Sequence, residues 1–215
     1  MTSQTQHTTS ISADVGPPPT VGYDYTTVPG NQPASYGDTV FLWQTPGPMV
    51  PGPMVPLATQ KVAGNTSSGS GTFTNVNVSS TLPYLVAYAV GPEVSNIAAT
   101  VFIPAGGTGV PFAPALSVTT VRPDGVGYQY AVAVGMQPQQ DGDWVGIWQG
   151  AGTPSLFAVP PLAWAAASTN MSSGSGWLAA RTIVGGTYTL GYFKGGFAEP
   201  NPGQTTLACT VTFQT

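Results

Sequence analysis

Gly142-Asp143-Trp144-Val145-Gly146-Ile147-Trp148-Gln149 has a second copy, Gly37-Asp38-Thr39-Val40-Phe41-Leu42-Trp43-Gln44, 105 positions earlier in the chain. In the earlier copy Val40, Leu42 and Gln44 alternate with Phe41 and Trp43, the period-two pattern of a strand covered on both faces. A motif that recurs at a fixed spacing is architecture before it is chemistry. The shared Val, Leu/Ile, Trp and Gln are therefore expected in the central strand of two copies of one unit.

Working outward, the same offset joins Val21-Gly22-Tyr23-Asp24-Tyr25 to Val126-Gly127-Tyr128-Gln129-Tyr130, and Pro56-Leu57-Ala58 to Pro161-Leu162-Ala163. It also joins Asn65-Thr66-Ser67-Ser68-Gly69-Ser70-Gly71 to Asn170-Met171-Ser172-Ser173-Gly174-Ser175-Gly176, stretches whose Gly and Ser content reads as turns or flexible loops. After the loss of one residue Tyr84-Leu85-Val86-Ala87-Tyr88 aligns with Tyr188-Thr189-Leu190-Gly191-Tyr192. After a longer second-copy loop, 196 to 204, Ile97-Ala98-Ala99-Thr100-Val101 aligns with Leu207-Ala208-Cys209-Thr210-Val211. Short strands at turn-punctuated spacing without a helical period predict an all-β fold: two tandem immunoglobulin-like antiparallel β-sandwiches from an internal duplication. The expected boundaries are a polar, disordered arm over 1–15, a first sandwich over 16–104, a Gly/Pro linker over 105–115 and a second sandwich over 116–215. Gly16-Pro17-Pro18-Pro19 is expected to enter the first sandwich as a stiff polyproline segment.

Tyr-x-Tyr, then Gly-Asp-Trp-Val-Gly-Ile-Trp, then Gly-x-Tyr-x-x-x-Tyr resembles the small immunoglobulin-like sandwiches of the SKICH type and the N-terminal module of purple acid phosphatases. The first copy departs from them with Thr39 in place of the Trp. The resemblance implies a module for attachment, or for packing on a catalytic domain.

Composition removes several functions. Charged residues are 6% of the chain, against about 25% in ordinary domains. Four cations (Lys61, Arg122, Arg181, Lys194) and a net charge of −4 leave no footprint for nucleic acid or for an anionic membrane. No apolar run reaches the roughly 18 to 20 residues that span a bilayer. Met1 to Thr20 carries neither a basic n-region nor an apolar h-region, so a cytoplasmic protein, or one exported by a signal-independent route, is expected. A single cysteine, Cys209, excludes an intrachain disulfide, and is expected to be a small buried hydrophobe.

The lone histidine, His7, lies in the N-terminal arm, which leaves a Ser-His-Asp or Cys-His system without a base in the two sandwiches. No catalytic residue and no cofactor is expected. Asp141 and Asp143 are the one close carboxylate pair and read as turn acids; a calcium site or a carboxylate-dependent hydrolase is the sharper alternative. Trp43 and Trp148 recur in the repeat and belong to the core, whereas Trp144, Trp164 and Trp177 have no aromatic counterpart and are candidates for stacking on sugar rings. After the central strand both copies enter an apolar, Pro-rich loop, with Met49, Val50, Met54 and Val55 in the first and Leu156 and Phe157 in the second. Such loops cannot pair within a sheet. They fold over their own sandwich, pack between the two copies, or meet another molecule. The leading expectation is a non-enzymatic structural or binding protein that associates with itself or a protein partner through these loops. The alternative is a lectin-like carbohydrate-binding module.

Overall fold

Alternating apolar residues bounded by Gly and Pro become strands, and one-turn α-helices, with short 3-10 turns at Val94–Asn96 and Thr153–Phe157, mark where the pattern breaks. In the computed structural model, which describes residues 4–16, 20–150 and 152–215, the order is β1 (Thr5–Thr8), β2 (Ser10–Gly16), β3 (Thr20–Thr26), α1 (Pro33–Tyr36), β4 (Thr39–Gln44), β5 (Ala58–Lys61), β6 (Ser68–Phe73), β7 (Tyr84–Ala89), β8 (Ile97–Ile103) and β9 (Val110–Phe112). It continues with β10 (Ala115–Arg122), β11 (Gly125–Ala131), α2 (Pro138–Asp141), β12 (Trp144–Gln149), β13 (Ala163–Ala166), β14 (Ser173–Leu178), β15 (Thr187–Phe193) and β16 (Leu207–Gln214). Each one-turn helix opens on a Pro, whose missing N–H costs nothing there, and closes on a Gly in the left-handed region, Gly37 at φ 78° and Gly142 at φ 73°. The repeated Gly-Asp is thus a helix stop that launches the central strand.

Four antiparallel sheets result. The order β2-β3-β6 faces β5-β4-β7-β8, and β10-β11-β14 faces β13-β12-β15-β16. With the strands lettered in chain order this is A-B-E against C′-C-F-G, the immunoglobulin-like arrangement. The sheets meet through tyrosine pairs, Tyr25 stacked on Tyr88 and Tyr130 tilted against Tyr192, with ring centroids 4.9 Å apart in both. Each sandwich also has a tyrosine corner before strand F. The Ser79 N–H donates to Tyr84 Oη at 2.8 Å, and the Ile183 N–H to Tyr188 Oη at 2.9 Å.

A fifth strand completes each C′-C-F-G sheet, and here the N-terminal arm differs from the expectation. Residues 5–16 are strands β1 and β2, not a disordered arm. Ile11, Ala13 and Val15 alternate, and Ile11 is buried; β1 is polar on every position and takes its order from a backbone ladder with β16, Thr5 opposite Thr212 through Thr8 opposite Cys209. The expected linker is also structured, since β9 pairs with β8 in the matching register, Val110 opposite Phe102 through Phe112 opposite Thr100. β9 reaches its edge by the turn after β8, whereas β1 comes from the far end of the chain. Residues 17–19, where the polyproline entry was expected, lie outside the described residues.

The Ser-Gly-Ser-Gly stretches expected as loops are strands β6 and β14. Tyr25 and Tyr23 lie across Gly69 and Gly71, and Tyr130 and Tyr128 lie across Gly174 and Gly176, so that a Cβ at any of the four would enter a phenol ring. Glycine here makes room for the inter-sheet tyrosines rather than flexibility.

Candidate functional site

The repeated Asp is not a turn acid but the polar centre of each sandwich. Asp38 and Asp143 both have no exposed surface, and each carboxylate accepts the hydroxyl of the strand-F tyrosine at 2.7 Å, Tyr88 in one case and Tyr192 in the other. The remaining partners differ. Asp143 also accepts Lys194 Nζ at 2.5 Å and the Gly195 N–H at 2.7 Å, a buried ion pair with both oxygens used. Asp38 accepts only the Asn31 amide N–H, at 2.8 Å, and its Oδ1 and the Asn31 Oδ1 are both buried without a donor. Burial pushes the Asp38 carboxyl up to about 6, against the pull of Tyr88 and Asn31. Burial also raises the Asp143 carboxyl, opposed by the Lys194 ammonium, the Tyr192 hydroxyl and the Gly195 N–H. Asp143 is thus matched by a buried cation, Lys194, whereas Asp38 has none and keeps one oxygen without a donor.

This arrangement corrects the turn-acid reading for Asp143 but not for Asp141. Asp143 is sealed in the core with Lys194, while the Asp141 side chain accepts the Gln137 N–H at the start of α2, 3.1 Å away. The two do not share a calcium site or face each other across a cleft. No group of three or more metal-binding side chains occurs among the described residues. Cys209 is buried, and burial pushes its thiol up to about 12.

The Pro-rich loops are pinned by the repeated tryptophans. Trp43 Nε1 donates to the Met54 carbonyl at 2.9 Å and Trp148 Nε1 to the Val159 carbonyl at 2.7 Å. From these anchors each loop crosses to the other sandwich. The Val50 N–H donates to the Val134 carbonyl at 2.8 Å, and the loop packs on Gly135. Reciprocally Pro154 packs on Gly30, and Phe157 stacks on Tyr36 with centroids 5.6 Å apart. Val50 and Leu156, expected in a partner interface, are therefore buried inside the molecule, and Phe157 is largely used by Tyr36. Met49, Met54 and Val55 remain exposed at 57%, 51% and 84%. Between the first loop and the second sandwich lies an open cleft of about 580 Å³, lined by Met49, Pro51, Met54, Val134, Met136 and Asn170 among others.

The three candidate sugar-stacking tryptophans separate. Trp144 is fully buried, stacked on Phe193 at 4.0 Å in a cluster with Trp148, Leu156 and Leu207, because the aromatic it needs is on the neighbouring strand β15 rather than in the first copy. Trp164 is half-buried against the same cluster. Trp177 is 40% exposed, lying over Gly125 and Gly127 with the Arg122 guanidinium 5.7 Å from its ring centroid. Sequence reasoning missed Lys194, Tyr88 and Tyr192 as partners of the repeated Asp. The readable signal was that Lys194 replaces Val90 while Met136 replaces Asn31, so one copy gained a cation where it lost an amide.

No family model and no curated protein matches the chain. Among solved structures, a DUF3823 family protein from Bacteroides uniformis is similar at 9% identity over 86% of this chain and 90% of that one, with a TM-score of 0.32. A Salmonella alpha-2-macroglobulin mutant is similar at 10% identity over 99% of this chain and 16% of that one, with a TM-score of 0.20. Likenesses this remote carry no argument about function.

Proposed function

We propose that the chain is a non-enzymatic structural or binding protein that associates with itself or a protein partner through the Pro-rich loop of its first sandwich. The observation that supports this reading is a fixed apolar surface: Met49, Met54, Val55 and Leu57 are each at least half exposed on a loop held by the Trp43 and Val50 hydrogen bonds. A loop backbone already ordered does not have to be ordered on binding, which removes that part of the entropic cost. Met is suited to such a surface because its thioether chain adapts to more than one partner shape. The titratable groups of the core are engaged in packing the sandwiches, which favours a scaffold over a catalyst. No helix among the described residues is long and apolar enough to cross a membrane.

Sedimentation of the purified chain beside a Met49→Ser/Met54→Ser/Val55→Ser variant tests the self-associating form. Concentration-dependent assembly that the variant loses is expected. Equal behaviour of the two chains, with no protein captured differently by either, overturns it.

A second reading rests on Trp177 alone, which is 40% exposed on a shelf of Gly125 and Gly127 with the Arg122 guanidinium over its ring. Quenching or a shift of Trp fluorescence on a glycan panel, lost in Trp177→Ala, is its test; an unresponsive panel removes it.

A further inference from the structure

The two sandwiches are stitched together by two chain crossings. At the first, β1 lies on β16 of the second sandwich while β2, one residue later, lies in the first. At the second, β9 lies on β8 of the first sandwich while β10, two residues later, lies in the second. The crossings are 105 positions apart and touch: Thr8 Oγ1 donates to the Pro114 carbonyl at 2.7 Å, and Thr9, one of the crossing residues, corresponds to Pro114. Contacts on either side are reciprocal as well, Val50 against Val134 and Gly135 in one direction, Pro154 and Phe157 against Gly30 and Tyr36 in the other. The interface is thus self-complementary about a pseudo-twofold axis, as an isologous dimer interface is.

One crossing holds the chain closed on itself. If Ala113-Pro114 straightens, the first sandwich can carry its β1 to β16 of a second copy and receive that copy's second sandwich in return. Every inter-sandwich contact is then remade, and only the two-residue hinge differs. Short hinges between elements that pack on each other invite this exchange, and Pro114 biases Ala113 toward the extended backbone that the open form needs. β1 itself does not resist transfer: all four of its residues are exposed, so its hold on β16 is the backbone ladder, which an identical strand replaces bond for bond. The partner's β1 also covers an edge, β16, that the chain would otherwise leave open.

We propose that two copies of this chain form a reciprocally exchanged dimer in which the N-terminal sandwich of each packs on the C-terminal sandwich of the other, opening at Ala113-Pro114. This surface differs from the exposed Met49, Met54 and Val55, so that association through the loop and exchange at the hinge fail separately. Because tethered sandwiches see each other at an effective concentration on the order of millimolar, closed monomer prevails on dilution and the exchanged dimer emerges when folding occurs near about 1 mM.

The chain's single cysteine provides the test. Thr8 is the register partner of Cys209, and residues directly opposite in an antiparallel ladder lie within disulfide range. The full chain, unsubstituted or carrying Thr8→Cys, is unfolded, refolded under reducing conditions at about 10 µM or about 1 mM, oxidised, and analysed by light scattering and non-reducing gel. We expect monomer with an intrachain crosslink from the dilute arm, and a doubled mass with interchain crosslinks from the concentrated arm. Insertion of four Gly/Ser residues between Ala113 and Pro114 returns the concentrated arm to monomer, and Met49→Ser/Met54→Ser/Val55→Ser leaves the dimer in place. Monomer in both arms of the unsubstituted chain overturns the proposal, whether or not the crosslink forms. So does a dimer that is unaffected by the insertion or abolished by the loop serines.

Discussion

In the N-terminal sandwich the strand beyond β8 arrives by a turn of six residues, 104 to 109; in the C-terminal sandwich the strand beyond β16 arrives from the opposite end of the chain. The register is the same in both, so the edge has one preferred complement irrespective of how the chain delivers it. A local hairpin closes a short loop, whereas β1 closes a loop of about 200 residues, an entropic difference that must be met by the rest of the interface. A second contrast lies in the cores. Both place an Asp under the strand-F tyrosine, but one pairs it with Lys194 and the other with the neutral Asn31 amide. Two sandwiches with one frame thus differ in how a buried charge is handled.

Unmatched positions should separate the sandwiches most. Lys194→Met strands the Asp143 carboxylate and should cost about 3–5 kcal/mol in chemical denaturation of the full chain. A loss below about 1 kcal/mol would remove the ion pair from the account of the core. Asp38 gives the next largest effect. Its folded carboxyl titrates near 6 against an ordinary 3.8, so the folded state binds the proton more tightly than the unfolded chain. Stability is then fully present below about pH 4, falls as pH rises toward 6 and levels off above, by about 3 kcal/mol for two pKa units. Melting temperature against pH should show that decline, and Asp38→Asn should flatten it; an unchanged slope in that variant would assign the titration elsewhere.

Matched positions should respond alike. Gly69→Ala and Gly174→Ala drive a methyl into Tyr25 and Tyr130 and should each cost about 1–3 kcal/mol by denaturant midpoint. Free tolerance in one sandwich alone would break the equivalence of their inter-sheet packing. Tyr84→Phe and Tyr188→Phe each leave a backbone N–H, of Ser79 and Ile183, without its acceptor. About 1 kcal/mol is expected from each, with the two values within error of one another.

The fold was legible where residues repeat. Tyr-x-Tyr read correctly because its inward-facing side chains alternate, and the Gly-Asp and Tyr-Leu-Val-Ala-Tyr strands because each is a short apolar run, buried on both faces, that recurs in the second copy. β1 was not legible, since Thr5-Gln6-His7-Thr8 buries nothing and its order comes from a main-chain ladder to residues about 200 positions away and from Gln6 and Thr8 side-chain bonds to the Leu116 and Pro114 carbonyls. The Ser-Gly-Ser-Gly strands misled for the opposite reason: their composition signals a turn, and the tyrosines that demand glycine are on another strand. Of the six loop residues marked for a partner, Met49, Met54 and Val55 are exposed, whereas Val50, Leu156 and Phe157 turn toward the molecule. Exposure along an irregular loop has no period to read. Trp144 failed as a surface residue because absence from the other copy signalled a different neighbour, Phe193, rather than solvent.

The central claim is that the N-terminal strand completes the C-terminal sandwich, and hydrogen exchange of the full chain at neutral pH tests it most directly. Amides of residues 5–8 and those of β16 that face them should be protected together, to the same extent as the β8 and β9 pair. Exchange of residues 5–8 at the rate of an unstructured peptide, with β16 less protected than β8, would contradict it.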